Sequence, residues 1–204
     1  MKVLTKFLVS ATEPARFPLT GLPEIAFLGR SNVGKSSIIN NLTGGKHAKT
    51  SNTPGRTQAI NFFEIRWAGK PKPELLFADL PGYGYARVPK EITRSWGGFI
   101  DPYLTERTEL ALCLCLVDAN IPPQQIDTQL IDFLRSAGRS HVVVATKADR
   151  VGSKLQASLN ALRQAHGVDQ ILPFSSKTGM GSDALWKLIR STAASHAGTA
   201  VEEE

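Results

Sequence analysis

Cysteine is nearly missing from this chain of 204 residues: there are two, Cys113 and Cys115. They stand two apart inside the apolar run Leu110-Ala-Leu-Cys-Leu-Cys-Leu-Val117. In an extended strand that spacing turns both thiols to one face and suits mutual disulfide closure badly. A core role fits the pair better than a redox or metal role. The four histidines (His47, His141, His166, His196) are scattered without ligand spacing, which argues against a transition-metal site. Long apolar runs are missing too, and no stretch approaches the ~18 residues that a membrane helix needs. The opening Met1–Ala11 briefly resembles a signal peptide, but Lys6 interrupts it and Glu13 follows without a processing site. There is no amphipathic basic helix, coiled coil or lipidation motif, and no RNA-binding fold, aromatic stacking motif or zinc knuckle. A cytoplasmic protein is expected.

What is present is an ordinary globular composition: 42% apolar, 7% aromatic and 21% charged residues. At this length one fold buries roughly 70% of its unfolded surface, so no staples are needed for a core. Charge is less ordinary. Residues 1–72 hold 11 basic and 3 acidic groups, net +8, whereas residues 73–204 hold 13 and 15, net −2. A basic half suits a polyanionic partner, and it equally suits a solvated face with no specific role.

Short apolar runs alternate with helical patterns. Strands are expected over Ile25–Leu28, Ile60–Trp67, Glu74–Asp79, Ala111–Val117, His141–Thr146 and Gln170–Phe174. Helices are expected over Lys35–Leu42 and around Asp127–Ala137, Leu155–His166 and Ser182–Ala194. Strands separated by helices imply parallel βαβ units. The link Gly69-Lys-Pro-Lys-Pro73 is too short for a crossover, so the strands on either side of it should pair antiparallel. The expected fold is therefore α/β, a mostly parallel six-stranded sheet with one antiparallel strand and helices on both faces. The domain plan is an extension over 1–20, one principal domain over 21–196 and a flexible acidic tail over 197–204, with the two ends as the most flexible parts.

Gly29, Arg30, Ser31, Asn32, Val33, Gly34, Lys35 and Ser36 spell G-x-x-x-x-G-K-S after a strand and at the opening of a helix. Glycines let the backbone curl so that successive N–H groups face a phosphate at the positive end of the helix. Lys35 brings a point charge to the terminal phosphates, and Ser36 offers a hydroxyl to Mg2+. Asp79-Leu-Pro-Gly82 follows a buried strand, where the carboxylate can hold Mg2+ through water and the Gly82 amide can meet a γ-phosphate. Thr146-Lys147-Ala-Asp149 closes another strand. Asp149 can accept hydrogen bonds from guanine N1–H and N2, which adenine does not offer, while the Lys147 stem lies along the base. Phe174-Ser175-Ser176 ends the next strand, where a backbone N–H near Ser176 can contact guanine O6. All these segments fall at the carboxyl ends of strands, where open α/β sheets bind nucleotides.

With these residues in place the chain resembles the EngB family of ribosome-assembly GTPases, within the translation-factor-related P-loop GTPases. The resemblance rests on Phe17-Pro18, Gly29 through Ser37, Thr53-Pro-Gly-Arg-Thr-Gln58, Ile60-Asn-Phe-Phe63, Asp79-Leu-Pro-Gly-Tyr-Gly-Tyr-Ala86, Thr146–Asp149 and Phe174–Ser176. It implies a three-layer Ras-like fold. One departure is visible: after Asp118 the chain reads Ala119-Asn120-Ile121, where the family commonly carries an arginine.

The resemblance makes Thr57 the first-switch threonine, flanked by Gly55 and Arg56, so that Ser36, Thr57 and Asp79 would serve Mg2+. It makes Asp79 to about Trp96 the second switch, with Gly82, Gly84, Gly97 and Gly98 supplying freedom. Lys35, Thr57 and Gly82 would then carry the catalytic contacts to the γ-phosphate. Ras-like proteins orient the attacking water with a glutamine just after Asp-x-x-Gly. Tyr83 stands there, so slow intrinsic hydrolysis is expected, with help from a partner or cation. Arg56 and Arg87 are candidate arginines. Asn32 resembles the asparagine with which related GTPases bind K+, and it equally suits capping of the loop backbone. The implied partners are GTP and GDP and a large-subunit precursor or rRNA, met by a monomer through Lys46, Lys49, Arg56, Lys70 and Lys72. Two rivals are a septin-like assembly or membrane-surface switch and a small-molecule kinase. The second is disfavoured by the guanine segment and the lack of a lid insertion.

Overall fold

The structure, a computed structural model, describes residues 2–48, 59–83 and 90–202. The expected Gly55, Arg56, Thr57 and Arg87 lie outside the described residues. Among the described residues seven strands form one sheet: β1 (Val3–Ala11), β2 (Glu24–Gly29), β3 (Ile60–Trp67), β4 (Leu75–Asp79), β5 (Leu110–Asp118), β6 (His141–Thr146) and β7 (Ile171–Pro173). Five helices accompany them: α1 (Lys35–Thr43), α2 (Lys90–Glu106), α3 (Gln125–Ser136), α4 (Leu155–His166) and α5 (Ser182–Glu202). The strand order is β1-β3-β4-β2-β5-β6-β7. Strands β4, β2, β5, β6 and β7 run parallel, and β3 is antiparallel to both its neighbours. The antiparallel pair expected across residues 69–73 is present, with Asn61 opposite Asp79 and Ile65 opposite Leu75.

The sheet has seven strands rather than the six expected, because the amino-terminal segment is not a flexible extension. It pairs with β3 from Val3 opposite Trp67 to Ala11 opposite Ile60, with a register shift between Phe7 and Val9. Lys6 and Ser10 interrupt its apolar pattern and the shift breaks its alternation, so periodicity alone does not reveal it. Edge-to-face packing of Phe7 on Phe63, with ring centroids 5.7 Å apart, helps hold it. At the other end α5 continues as helix to Glu202, into the segment expected to be a flexible tail. Helix α2 was also not expected. Gly97, Gly98 and Pro102 read as helix breakers, yet the buried Ile100, Tyr103 and Leu104 bind the segment to the core.

Every residue of β5 is buried, and its side chains alternate between two cores. Cys113, Cys115 and Val117 face a core closed by Tyr103, Leu104, Ile131, Leu134, Leu159 and Leu162 of α2, α3 and α4. Leu112, Leu114 and Leu116 face the other, closed by Ile38, Ile39, Leu185, Trp186 and Ile189 of α1 and α5. Burial pushes the Cys113 thiol up to about 12 and Cys115 well above its ordinary value, so both behave as core side chains. Among the described residues no helix is long and apolar enough to cross a membrane.

Candidate functional site

The carboxyl ends of β2, β4, β5, β6 and β7 all open on the same edge of the sheet, and the expected segments starting at Gly29, Asp79, Thr146 and Phe174 begin there. The loop after β2 turns on three backbone constraints. A Cβ at Gly29 would stand 2.7 Å from Val33 Cγ1 and 2.9 Å from the Leu116 carbonyl, so only glycine fits. Asn32 adopts φ 64° and Gly34 φ 113°, both in the left-handed range, which curls the loop before α1 starts at Lys35. Gly34 caps that helix without a side chain and so leaves its first amides open to an anion.

Lys35 folds back on the loop: its Nζ donates to Gly29 O at 3.0 Å and Arg30 O at 3.5 Å. Burial lowers its pKa, and the nearby Asp79 opposes that shift. Asp79 ends β4. Burial pushes its carboxyl up to about 6, against the pull of Lys35. Its Oδ1 is buried without a hydrogen-bond partner. A buried carboxylate oxygen with no donor fits a hydrated divalent cation, whose bound water would donate to it. Ser36 is half-buried at the first turn of α1. Gly82 lies against the loop, since a Cβ there would stand 2.9 Å from both Lys35 Nζ and Ser31 Oγ. A side chain at position 82 would push the Lys35 ammonium aside and crowd the Ser31 backbone, 3.1 Å away.

The loops after β6 and β7 are stapled to one another. Ala148 N–H donates to Phe174 O at 3.1 Å, and Phe174 N–H donates to Ala145 O at 2.8 Å. Ser175, fully buried, donates its hydroxyl to Asp149 Oδ1 at 2.6 Å and accepts the Lys177 and Thr178 N–H groups at 3.2 Å each. That serine bond holds the half-buried Asp149 carboxyl below its ordinary pKa, so it stands ionised as a pure acceptor. Lys147 adopts φ 57° and donates to Asp118 Oδ2 at 2.6 Å, which fixes its stem. Asp118 Oδ1 in turn accepts the N–H of Asn120 at 2.9 Å. An acid that matches guanine donors and a braced aliphatic stem thus occur side by side.

Three expected residues stand differently. Phe174 is buried among the α1 and α5 side chains, so only its backbone is available to a ligand. Thr146 is buried and donates to Val33 O at 2.7 Å, which ties the phosphate loop to β6 from beneath. Ser176 is exposed, and its carbonyl accepts from Asn41 of α1 at 3.3 Å. Sequence reasoning missed Asp127, which is buried at the start of α3 and bound to both Arg30 and Tyr83. No local motif marks it. Its signal is a carboxylate denied solvent, visible only once the chain is folded.

A phosphate loop after the first parallel strand, a lone carboxylate beyond the next and a guanine-matching acid at the sheet's far side define a P-loop GTPase. Known proteins agree. Residues 24–147 match the family described as 50S ribosome-binding GTPase. A probable GTP-binding protein EngB from Koribacter versatilis (strain Ellin345) is 59% identical over 190 residues, 93% of this chain and 94% of that one. The probable GTP-binding protein EngB of Bacillus subtilis (strain 168) is 41% identical over 196 residues, covering 93% and 97%. The chain belongs to this GTPase family and, within it, to the EngB GTP-binding proteins. The crystal structure of a probable GTP-binding protein engB superposes with TM-score 0.67 at 25% identity, over 84% of this chain and 99% of that one. Era, crystallised with MgGDPNP and nucleotides 1506–1542 of 16S ribosomal RNA, shares the fold at TM-score 0.67 and 24% identity, over 82% of this chain and 55% of its own.

Proposed function

We propose that this GTPase is a nucleotide-dependent switch in assembly of the large ribosomal subunit, and that it docks on a precursor particle or its rRNA in the GTP form. The observation that carries this reading is the match of residues 24–147 to a family described by its binding to the 50S ribosome. The basic first 72 residues support it: Lys46, Lys70 and Lys72 are exposed, and Lys70 is only loosely held, 3.6 Å from Glu74. Lysines of this kind meet phosphates through counterion release, without base readout.

In this reading Gly29 to Ser37 cradle the phosphates, and Thr146, Lys147, Asp149 and the 174–176 backbone hold guanine. Ser36, Asp79 and Thr57 hold Mg2+, which neutralises the phosphate oxygens when bound. Gly55, Arg56 and Thr57 supply the first switch, while Gly82 carries the γ-phosphate contact. Slow intrinsic hydrolysis follows from Tyr83, whose hydroxyl is committed to Asp127 at 3.0 Å. A partner or K+ at the exposed Asn32 would complete the site. Site, cytoplasmic location and monomeric state belong to this one reading.

Co-sedimentation with large-subunit particles tests it. The chain should pellet with them in a non-hydrolysable GTP analogue and stay in the supernatant with GDP. Equal, negligible pelleting in both would remove the ribosomal role and leave the GTPase standing.

A further inference from the structure

Asp127 sits in the first turn of α3, 2% exposed, and both its carboxylate oxygens are engaged. Arg30 donates from Nε to Oδ2 at 3.3 Å, and the Tyr83 hydroxyl donates to Oδ1 at 3.0 Å. Arg30 belongs to the phosphate loop and Tyr83 directly follows Gly82. One buried acid on a third element therefore ties together the two segments that must both handle a terminal phosphate. Their backbones are joined as well. Arg30 and Tyr83 form an isolated parallel bridge, and the Ser31 N–H donates to the Tyr83 carbonyl at 3.0 Å. Burial, with the Asp127 carboxylate beside it, raises the Tyr83 pKa well above its ordinary value, so the hydroxyl stays a donor.

The consequence falls on Lys35. A terminal phosphate needs its ammonium and the loop N–H groups turned outward. In this arrangement the Ser31 N–H is taken by the Tyr83 carbonyl, and the ammonium faces the carbonyls of Gly29 and Arg30. Gly82 covers it so closely that a Cβ there would stand 2.9 Å away. Before a third phosphate can use Lys35, Gly82 and Tyr83 must withdraw. A diphosphate reaches Lys35 through its β-phosphate but stops short of the space that Gly82 covers, so only a third phosphate needs Gly82 and Tyr83 to withdraw.

We propose that Asp127 is a positioning residue that sets the preference between GDP and GTP, holding Gly82 and Tyr83 down on the phosphate loop through Tyr83 and Arg30. The idea rests on the reading of residues 29–36 as the phosphate loop, but the residue acts from outside the nucleotide site. Part of the GTP binding free energy goes into breaking the Asp127–Tyr83 bond, and GDP keeps that part. Hydrogen bonds to charged groups contribute about 1.5–3 kcal/mol, so removing this one should move the ratio of the two affinities about tenfold or more.

Tyr83→Phe keeps the ring and removes only the hydroxyl. Titration with fluorescent GDP and a fluorescent non-hydrolysable GTP analogue reads both affinities. The analogue should tighten about tenfold relative to GDP. Asp127→Asn, which weakens the anchor from the other side, should shift the ratio in the same direction. Thermal melting shows that the variants fold, and a merely structural role would lower the melting temperature while leaving the ratio unmoved. An unchanged ratio in folded Tyr83→Phe overturns the proposal. So does a selective loss of analogue affinity, which would place the contact in the GTP-bound form. Lys35→Ala should weaken both nucleotides. If it weakens neither, the phosphate-loop reading falls, and the proposal falls with it.

Discussion

A buried carboxylate and a cation lie near each end of strand β2, and the two ends treat them differently. At the start of the strand Glu24 is fully buried, and its Oε1 accepts from Arg107 Nη2 at 2.6 Å and Nε at 3.2 Å. The same guanidinium also donates to the Pro18 carbonyl, lies 3.3 Å from Glu109 and sits over the Phe17 ring. Beyond the strand's other end, Lys35 spends its hydrogens on backbone carbonyls, and Asp79 Oδ1 has no donor. Both carboxyls are raised by burial and each keeps one buried oxygen without a donor, Glu24 Oε2 and Asp79 Oδ1, yet only Glu24 is also hydrogen-bonded by a cation within the chain. A buried charge without a hydrogen-bonded cation lowers stability. The first pole serves the fold, and in the proposed reading the second serves a ligand.

Substitution of the two cations separates those roles. Arg107→Ala leaves Glu24 buried and uncompensated, and the chain should lose about 3–5 kcal/mol of stability in urea titrations. The nucleotide affinity of the folded fraction should stay within about twofold, because Arg107 touches nothing at the phosphate loop. Lys35→Ala should do the reverse. Affinity for guanine nucleotides should fall on the order of 10²- to 10³-fold, while stability changes by less than about 1 kcal/mol. Comparable losses of affinity in both variants would show that the poles are coupled, and the contrast between them would fail.

The same contrast governs what can be read from sequence. The phosphate loop, the Asp79 turn and the guanine loops are contiguous tri- to octapeptides, so each is legible without the fold. Strands β3 and β6 and helix α4 match their expected spans because clean apolar periods mark them. Strand β1 was hidden by Lys6, Ser10 and its register shift, and helix α2 by Gly97, Gly98 and Pro102. In both, tertiary packing overrides local signals. The Asp127 cluster was illegible for a different reason. Its partners lie 97 and 44 residues away, and an aspartate in a first helical turn ordinarily reads as a surface residue favoured by the helix dipole. The Glu24–Arg107 pair spans 83 residues and was invisible in the same way. Sequence shows the local half of the ligand pole and little of the structural one.

Asp79 sharpens the comparison with the smallest expected effect. Its ordinary pKa is 3.8, and burial lifts it to about 6 in the folded chain. Between about pH 4 and pH 6 the folded chain therefore keeps a proton that the unfolded chain has lost. The unfolded state binds fewer protons there, so stability falls as pH rises through that window and levels off above it. For this group the total is at most about 3 kcal/mol. Glu24 is raised as well and adds a slope of the same sign, so the wild-type curve alone does not separate them. Asp79→Asn does. In nucleotide-free, chelated buffer at pH 8 the variant should be more stable than wild type, by up to about 3 kcal/mol, and the gap should close towards pH 4. Saturating GDP with Mg2+ should reverse the order, because the bound cation and nucleotide stabilise only the form that holds them. Urea midpoints at the two pH values, with and without Mg2+ and nucleotide, give all the terms. If Asp79→Asn destabilises the ligand-free chain at pH 8, Asp79 is a fold anchor of the same kind as Glu24, and the two ends of β2 are not different in kind.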